Sequence, residues 1–337
     1  MRKYVLILLF LTVITLPSCG AKKQRYVVGF YNVENLFDIV DNKDKNDEDF
    51  LPEGYYKWTE EKYWKKQHNI ARAIKAMADA NGAFHSVLGI AEVENKKVLE
   101  DLVAQPEIAK ARYEIVHSES PDPRGIDVAF LYRPDHFKLL ETETVHFKFV
   151  QSRDVLVIRG LLGGEMFAFM VAHLPSRIGG KGTDTRVWGA EAIHKKAVQL
   201  MADYPGIKIV VMGDMNDDPV DESMVKGLHG KEFISDLGTD DFFSPFYSML
   251  KAGYGSMEYK GTWQIFDQIL VNKATTEGKG LKIQKIEDNK FYGKIFKPDF
   301  LIQQSGRYKG TPLRTFSSGE FLDGFSDHLP TYIILNK

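Results

Sequence analysis

The sequence predicts an α/β protein. Three observations carry this: short apolar strands recur along the chain, helical stretches divide them, and no Pro/Ser-rich linker interrupts the series. At 337 residues the chain has room for one large domain or two ordinary ones. Continuous interleaving favours one, over residues 26–337. With 44% hydrophobic and 12% aromatic residues the composition is globular. A net charge of −2 excludes a global electrostatic attraction to polyanions, so nucleic acid requires a local basic patch.

The chain begins with a different kind of segment. Arg2 and Lys3 precede an apolar run from Val5 to Leu16, too short to span a bilayer, which needs about 20 residues. Leu16, Ser18 and Cys19, the only cysteine, resemble the lipobox of bacterial lipoproteins. Residues 1–18 are thus expected to be a lipoprotein signal peptide, Cys19 the lipid attachment point to a membrane, and residues 19–25 a tether. An ordinary cleaved secretory peptide is the alternative. Either way the expectation is export, with the side of the membrane left open and no disulfide in the mature chain.

The elements follow in order. "YVVGFYNV" (Tyr26 to Val33) has the unbroken apolarity of a buried strand. Asp41 to Phe50 is a charged, solvated loop that lacks the glycine and closing glutamate of an EF-hand. Thr59 is placed to cap a helix beginning at Glu60 and Glu61, with Ile70, Ile74, Met77 and Ala78 on one face. "HSVLGIAEV", "IDVAFLYR", "VLVIRGLL", "MFAFMVAHL", "IKIVVMGDM" and "FDQILVN" are strands, and Arg186 to Ala202 is a helix. Thr331 to Leu335 makes a terminal strand behind Pro330.

Several strands end on residues suited to chemistry. "VLGIAEVEN" leads to Glu92, with Glu94 at i+2 and hence on the same strand face. "FMVAHLPSR" delivers His173; "IVVMGDMND" delivers Asp214 and Asn216; "FDQIL" opens on Asp267. "GFYNVENLFD" carries Asn32 and Asn35, and "SDHLP" carries Asp327 and His328 before the last strand. Any one of these is a common turn residue. Together they supply the carboxylates, amides and histidines that a hard cation and a phosphate ester require.

Asn32, Glu92, His173, Asp214 with Asn216, Asp267 and Asp327-His328 occur in the order found in the endonuclease/exonuclease/phosphatase family, which this chain resembles from residue 26 to its end. One position departs: Ala91 stands where many members have glutamine. The resemblance implies a four-layer sandwich, two mixed β-sheets face to face with helices outside. It implies Mg²⁺ as cofactor, with Mn²⁺ as substitute, held by Glu92, Asn32 and Asp327 in an oxygen-only site. Asp214 would orient or deprotonate the attacking water beside Asn216. His328, braced by Asp267, would meet the scissile phosphate, and His173 would hold phosphate or serve the leaving group. Glu94, Asn35 and Arg124 stand as second-layer or merely structural residues. Arg177 and Arg186 flank the His173 loop, and His194 is expected to be solvated on its helix.

Between Asn272 and Arg314 there are ten Lys/Arg against four Asp/Glu, interleaved with Phe291, Tyr292, Phe296, Phe300 and Tyr308. This suits a nucleic-acid backbone with stackable bases, or equally a solvated excursion whose aromatics pack on the core. The long insertion and "GTW" (Gly261 to Trp263) also resemble bacterial extracellular nuclease-like members. The expectation is an exported metal-dependent phosphodiester hydrolase, a nuclease in the first place. The alternatives are a phosphatase or phosphodiesterase on lipid or sugar phosphates, and a non-catalytic lipoprotein that binds phosphorylated ligands.

Overall fold

A computed structural model describes residues 24–147, 151–177, 182–286 and 290–337. The expected signal peptide and Cys19 lie outside them. Among the described residues no helix is long and apolar enough to cross a membrane.

In chain order the first half comprises β1 (Tyr26–Leu36), α1 (Glu60–Asn81), β2 (Val87–Val93), α2 (Lys96–Val103), β3 (Glu114–His117) and β4 (Asp127–Tyr132). Then come β5 (Phe137–Val145), β6 (Val155–Leu162), β7 (Glu165–His173), α3 (Thr183–Asp203) and β8 (Lys208–Asp214). The short strands β9 (Gly230–Lys231) and β10 (Phe242–Phe243) precede α4 (Tyr247–Lys251) and the hairpin β11 (Met257–Tyr259), β12 (Thr262–Gln264). β13 (Asp267–Asn272), α5 (Lys273–Thr276), β14 (Lys282–Gln284), β15 (Gly293–Ile295), the hairpin β16 (Phe316–Ser317), β17 (Glu320–Phe321) and β18 (Thr331–Asn336) complete it.

Two mixed sheets result. One runs β14-β18-β1-β2-β4-β3, with β15 also paired to β18; the other runs β5-β6-β7-β8-β13-β10-β9. They pack face to face. A Cβ on Gly89 of β2 would come within 2.6 Å of Met212 of β8, so the bare backbone there admits the facing sheet. Helix α1 buries Ile70, Ile74 and Met77 in the core shared by both sheets. Helix α3 covers the outer face of the second sheet, with Ala190, Ile193 and Ala197 against Ala168, Met170 and Ile209. The layers are helix, sheet, sheet, helix, as the sequence implied.

The helix ends obey local chemistry. Thr59 caps α1 by accepting from the Lys62 amide, and Gly82, at φ +67°, closes it in the left-handed region. The short elements after β8, apart from β13 and β18, were not foreseen, nor were three before it. α2 is a short helix capped by Asn95, and β3 has only four residues. β5, "FKLLETETV", lies at a sheet edge with most side chains exposed and therefore lacks an apolar stripe. The charged loop is also less solvated than expected. Lys45 Nζ donates to the carbonyls of Ser120 (2.7 Å) and Asp122 (3.0 Å), and buried Asp47 accepts from the Asn42 amide.

Candidate active site

Strand register assembles the cleft. β7 runs parallel to β8 with His173 opposite Asp214, and β13 runs antiparallel to β8 with Asp267 opposite Asp214. Three polar side chains from distant parts of the chain are thereby placed abreast in the second sheet. The first sheet faces them with Asn32 on β1 and Glu92 on β2. His328 enters from the segment leading into β18.

Glu92 has φ +64°, a conformation a glutamate adopts only when its surroundings impose it, and β2 bulges there between Ala91 and Val93. Glu34, Asn35 and Asn216, also at the cleft, have positive φ as well. Such strain gathers where side chains must be aimed at a common point. The Glu92 carboxylate accepts from Asn32 Nδ2 at 3.2 Å and from the Asn35 backbone amide at 3.0 Å. Asn32 Nδ2 also donates to Asp214 Oδ2 at 3.0 Å, while Asn32 Oδ1 accepts from the Glu34 amide. Asn32 thus bridges two carboxylates as a donor, and acting as a metal ligand would require its amide to turn over.

His173 Nε2 lies 3.5 Å from Asp214 Oδ2 and 3.7 Å from Glu92 Oε1. One ligand atom from each of Glu92, His173 and Asp214 falls within 4.8 Å of the others. This donor set, one imidazole nitrogen and two carboxylate oxygens, fits a divalent cation. Asp327 stays outside that trio: its oxygens lie 3.8 Å from His328 Nε2 and 3.7 Å from Arg314.

His328 Nδ1 is 2.8 Å from Asp267 Oδ2, and its Nε2 is 3.7 Å from Asp214 Oδ2. Ser256 Oγ donates to the same Asp267 oxygen at 2.6 Å, and Ser326 Oγ accepts the His328 amide at 3.0 Å. Burial opposes charge on His328, yet the carboxylates of Asp267 and Asp214 outweigh it and hold the imidazole well above its ordinary range. His173 is pushed the other way, first by burial and then by the Arg153 guanidinium, and stays neutral. Burial lifts Asp214 to about 7 despite the imidazolium beside it.

The remaining expectations divide. Asn216 gives its amide nitrogen to the Leu174 carbonyl and its backbone N–H to Asp214 Oδ1, both at 2.9 Å. Asn35 reaches Glu92 through its backbone. Glu94 does not share a face with Glu92: the left-handed residue breaks the alternation, and Glu94 is buried elsewhere, accepting from the Asp38 amide at 2.7 Å. Arg124 pairs loosely with Asp122 (3.7 Å) and acts on His173 only through its field. Arg177 and Arg186 are both engaged by Asp217 at 2.8 Å. His194 is not simply solvated: it stacks on His229, ring centroids 3.9 Å apart, with Nε2 2.8 Å from the Asp240 carbonyl.

Sequence reasoning passed over two supports. Buried Arg153 donates to Asp122 (2.8 Å) and to the Leu174 carbonyl (2.9 Å), fixing the loop that follows His173. Fully buried Lys66 donates to Thr315 Oγ1 and to the Phe325 carbonyl, and Glu34 accepts the Thr315 amide at 2.6 Å. Burial lifts Glu34 to about 7 and lowers Lys66 to about 8. A signal for Lys66 existed, since it shares the i, i+4, i+8 stripe with Ile70 and Ile74.

The profile of the endonuclease/exonuclease/phosphatase family matches residues 27–337. The chain belongs to that family. Several solved structures share the fold. TDP2 of D. rerio, complexed with a single-strand DNA product, aligns with TM-score 0.56 at 15% identity over 93% of this chain and 99% of that one. The catalytic domain of human Nocturnin with bound sulfate aligns at 0.52 and 15% identity, covering 93% and 94%. A family protein from Bacteroides thetaiotaomicron aligns at 0.52 and 17% identity, covering 93% and 98%. No curated protein sequence matches the chain. Membership supports a phosphoester hydrolase of the metal-dependent phosphoesterase or nuclease type.

Proposed function

We propose that this protein is a divalent-metal-dependent phosphodiester hydrolase, a nuclease, acting outside the cytoplasm. One observation carries the reading: buried Asp214 lies between two histidines held in opposite protonation states, with Glu92 3.7 Å from the neutral one.

Phosphodiester hydrolysis needs a nucleophile freed of its proton, charge neutralised on phosphorus, and a proton for the leaving oxygen. Asp214, at about 7, is poised to take a proton from water at neutral pH. His328, kept cationic by Asp267, holds the phosphate oxygen and hands over a proton. Asp267 fixes the ring through Nδ1. Neutral His173 offers Nε2 as a ligand or acceptor, and Asn216 fixes the loop carrying Asp214. Glu92, with Asn32 beside it, would hold the cation, Mg²⁺ or Mn²⁺, which supplies Lewis-acid charge at the phosphate when bound. Asp327, 3.8 Å from His328 Nε2, adds a carboxylate beside that ring.

Nucleic acid as substrate is supported by the basic, aromatic-bearing segment before Arg314 and by the single-strand DNA product complexed with TDP2, a protein of the same fold. Residues 26–337 are proposed as one catalytic domain, delivered by the signal peptide and anchored through Cys19. The deciding experiment incubates protein lacking residues 1–19 with plasmid DNA, RNA and phosphomonoesters, with Mg²⁺ or EDTA. Metal-dependent nicking or strand cleavage is expected. Activity that survives EDTA overturns the mechanism, and cleavage of monoesters alone overturns the nuclease reading. Replacing Cys19 by alanine should release the full chain from membranes; unchanged fractionation defeats the anchor.

A further inference from the structure

A groove of about 870 Å³ opens beside Asp327, between the β11–β12 hairpin and the turn around residues 307–311. Its walls carry Tyr259, Trp263 and Tyr308, together with Lys260, Arg307 and Arg314. Tyr308 is 38% exposed. The guanidinium carbons of Arg307 and Arg314 lie 5.5 and 5.9 Å from its ring centroid, and Lys260 lies 5.0 Å from that of Tyr259. Lys297 covers Trp263 at 3.7 Å, so the tyrosines are the more accessible platforms.

We infer that this groove is the path of single-stranded nucleic acid, with unpaired bases stacked on Tyr308 and Tyr259 and the backbone held by Arg307, Lys260 and Arg314. The inference rests on the proposed hydrolase function and deepens it by naming the form of the substrate. Continuity with the cleft supports it: Arg314 faces Asp327 at 3.7 Å, and Asp327 faces His328 at 3.8 Å, so a strand lying in the groove passes its phosphate to the histidine. Alternation of aromatic and cationic side chains suits a strand whose bases are free to stack. A duplex hides those faces and would meet only the cations.

The test separates binding from chemistry. With EDTA present to stop turnover, anisotropy of a labelled oligothymidylate of about twelve nucleotides is compared with a blunt duplex of equal length. The single strand should bind at least about tenfold more tightly. Tyr308→Ala should weaken it about tenfold while leaving duplex binding within about twofold. Arg307→Gln should flatten the salt dependence of both. In parallel, metal-dependent hydrolysis of bis(p-nitrophenyl) phosphate, too small to reach the groove, should be unchanged in Tyr308→Ala. Equal binding of single strand and duplex, or wild-type oligonucleotide affinity in Tyr308→Ala, overturns the groove assignment. Failure to hydrolyse the small diester overturns the catalytic reading instead, and the binding arms still decide the groove.

Discussion

His173 and His328 face the same aspartate at 3.5 and 3.7 Å, and both are buried. Their surroundings differ in what compensates that burial. His328 rests against Asp267, a carboxylate that also accepts from Ser256, so positive charge is sheltered there. At His173 the Arg153 guanidinium adds to the effect of burial, and Nδ1 has no hydrogen-bond partner among the described residues, so positive charge is disfavoured. In the proposed mechanism one imidazole donates a proton and the other accepts or ligates. Burial disfavours charge on both rings; the Asp267 and Asp214 carboxylates overcome it at His328, whereas at His173 the Arg153 guanidinium adds to it.

Substitutions can break this pairing in turn. Replacing His328 by alanine removes the proton donor and should lower kcat by about a thousandfold with an unchanged circular dichroism spectrum. A loss of only a few-fold would remove His328 from the chemistry. Asp267→Asn keeps the ring near its place but deletes the countercharge. kcat should fall by about a hundredfold, and the alkaline limb of the pH–rate profile should move to lower pH, because the imidazolium gives up its proton sooner. An unmoved limb would show that Asp267 only positions the ring. His173→Gln, measured as kcat against metal concentration, should cost about tenfold and raise the half-saturating Mn²⁺ concentration. If metal response is untouched, His173 serves phosphate rather than cation.

A third histidine sharpens the contrast through stability alone. His85 is fully buried beneath Gly29 with no hydrogen-bond partner on either ring nitrogen among the described residues, and burial lowers it to about 4. The unfolded chain takes up this proton below about 6.5, whereas the fold refuses it until about 4. Stability should therefore be lost as pH falls through that window, by up to about 1.4 kcal/mol per pH unit from this group. Urea midpoints of His85→Leu should fall less steeply over the same range, and parallel slopes would count against it. The smallest effect is expected for Arg124→Ala, whose activity should stay within about threefold of wild type, since Arg124 is half-exposed and its ion pair with Asp122 is loose.

How much was legible varied with the range of the interactions. The apolar runs of β1, β2, β7, β8 and β13 announced buried strands, because sheets covered on both faces leave no polar alternation. The Thr59 cap and α1 were equally plain, being local. β5 was not, since an edge strand needs no apolar face. Glu94 was misplaced because strict alternation assumes extended backbone, and Glu92 is not extended. Lys66 and Arg153 gave little notice, as their partners lie 249 and 31 residues away.

By itself the sequence determined the strand-rich α/β architecture and the ordered set from Asn32 to His328 that marks the family. Those are matters of composition, period and order. Only the tertiary structure decided that β7, β8 and β13 stand in register to bring His173, Asp214 and Asp267 abreast. It also decided that a His173 nitrogen lies 3.7 Å from Glu92, and that the two histidines are shifted in opposite directions. These depend on which groups are neighbours across hundreds of residues. Coulomb interactions and desolvation follow distance in space, which chain order does not encode directly.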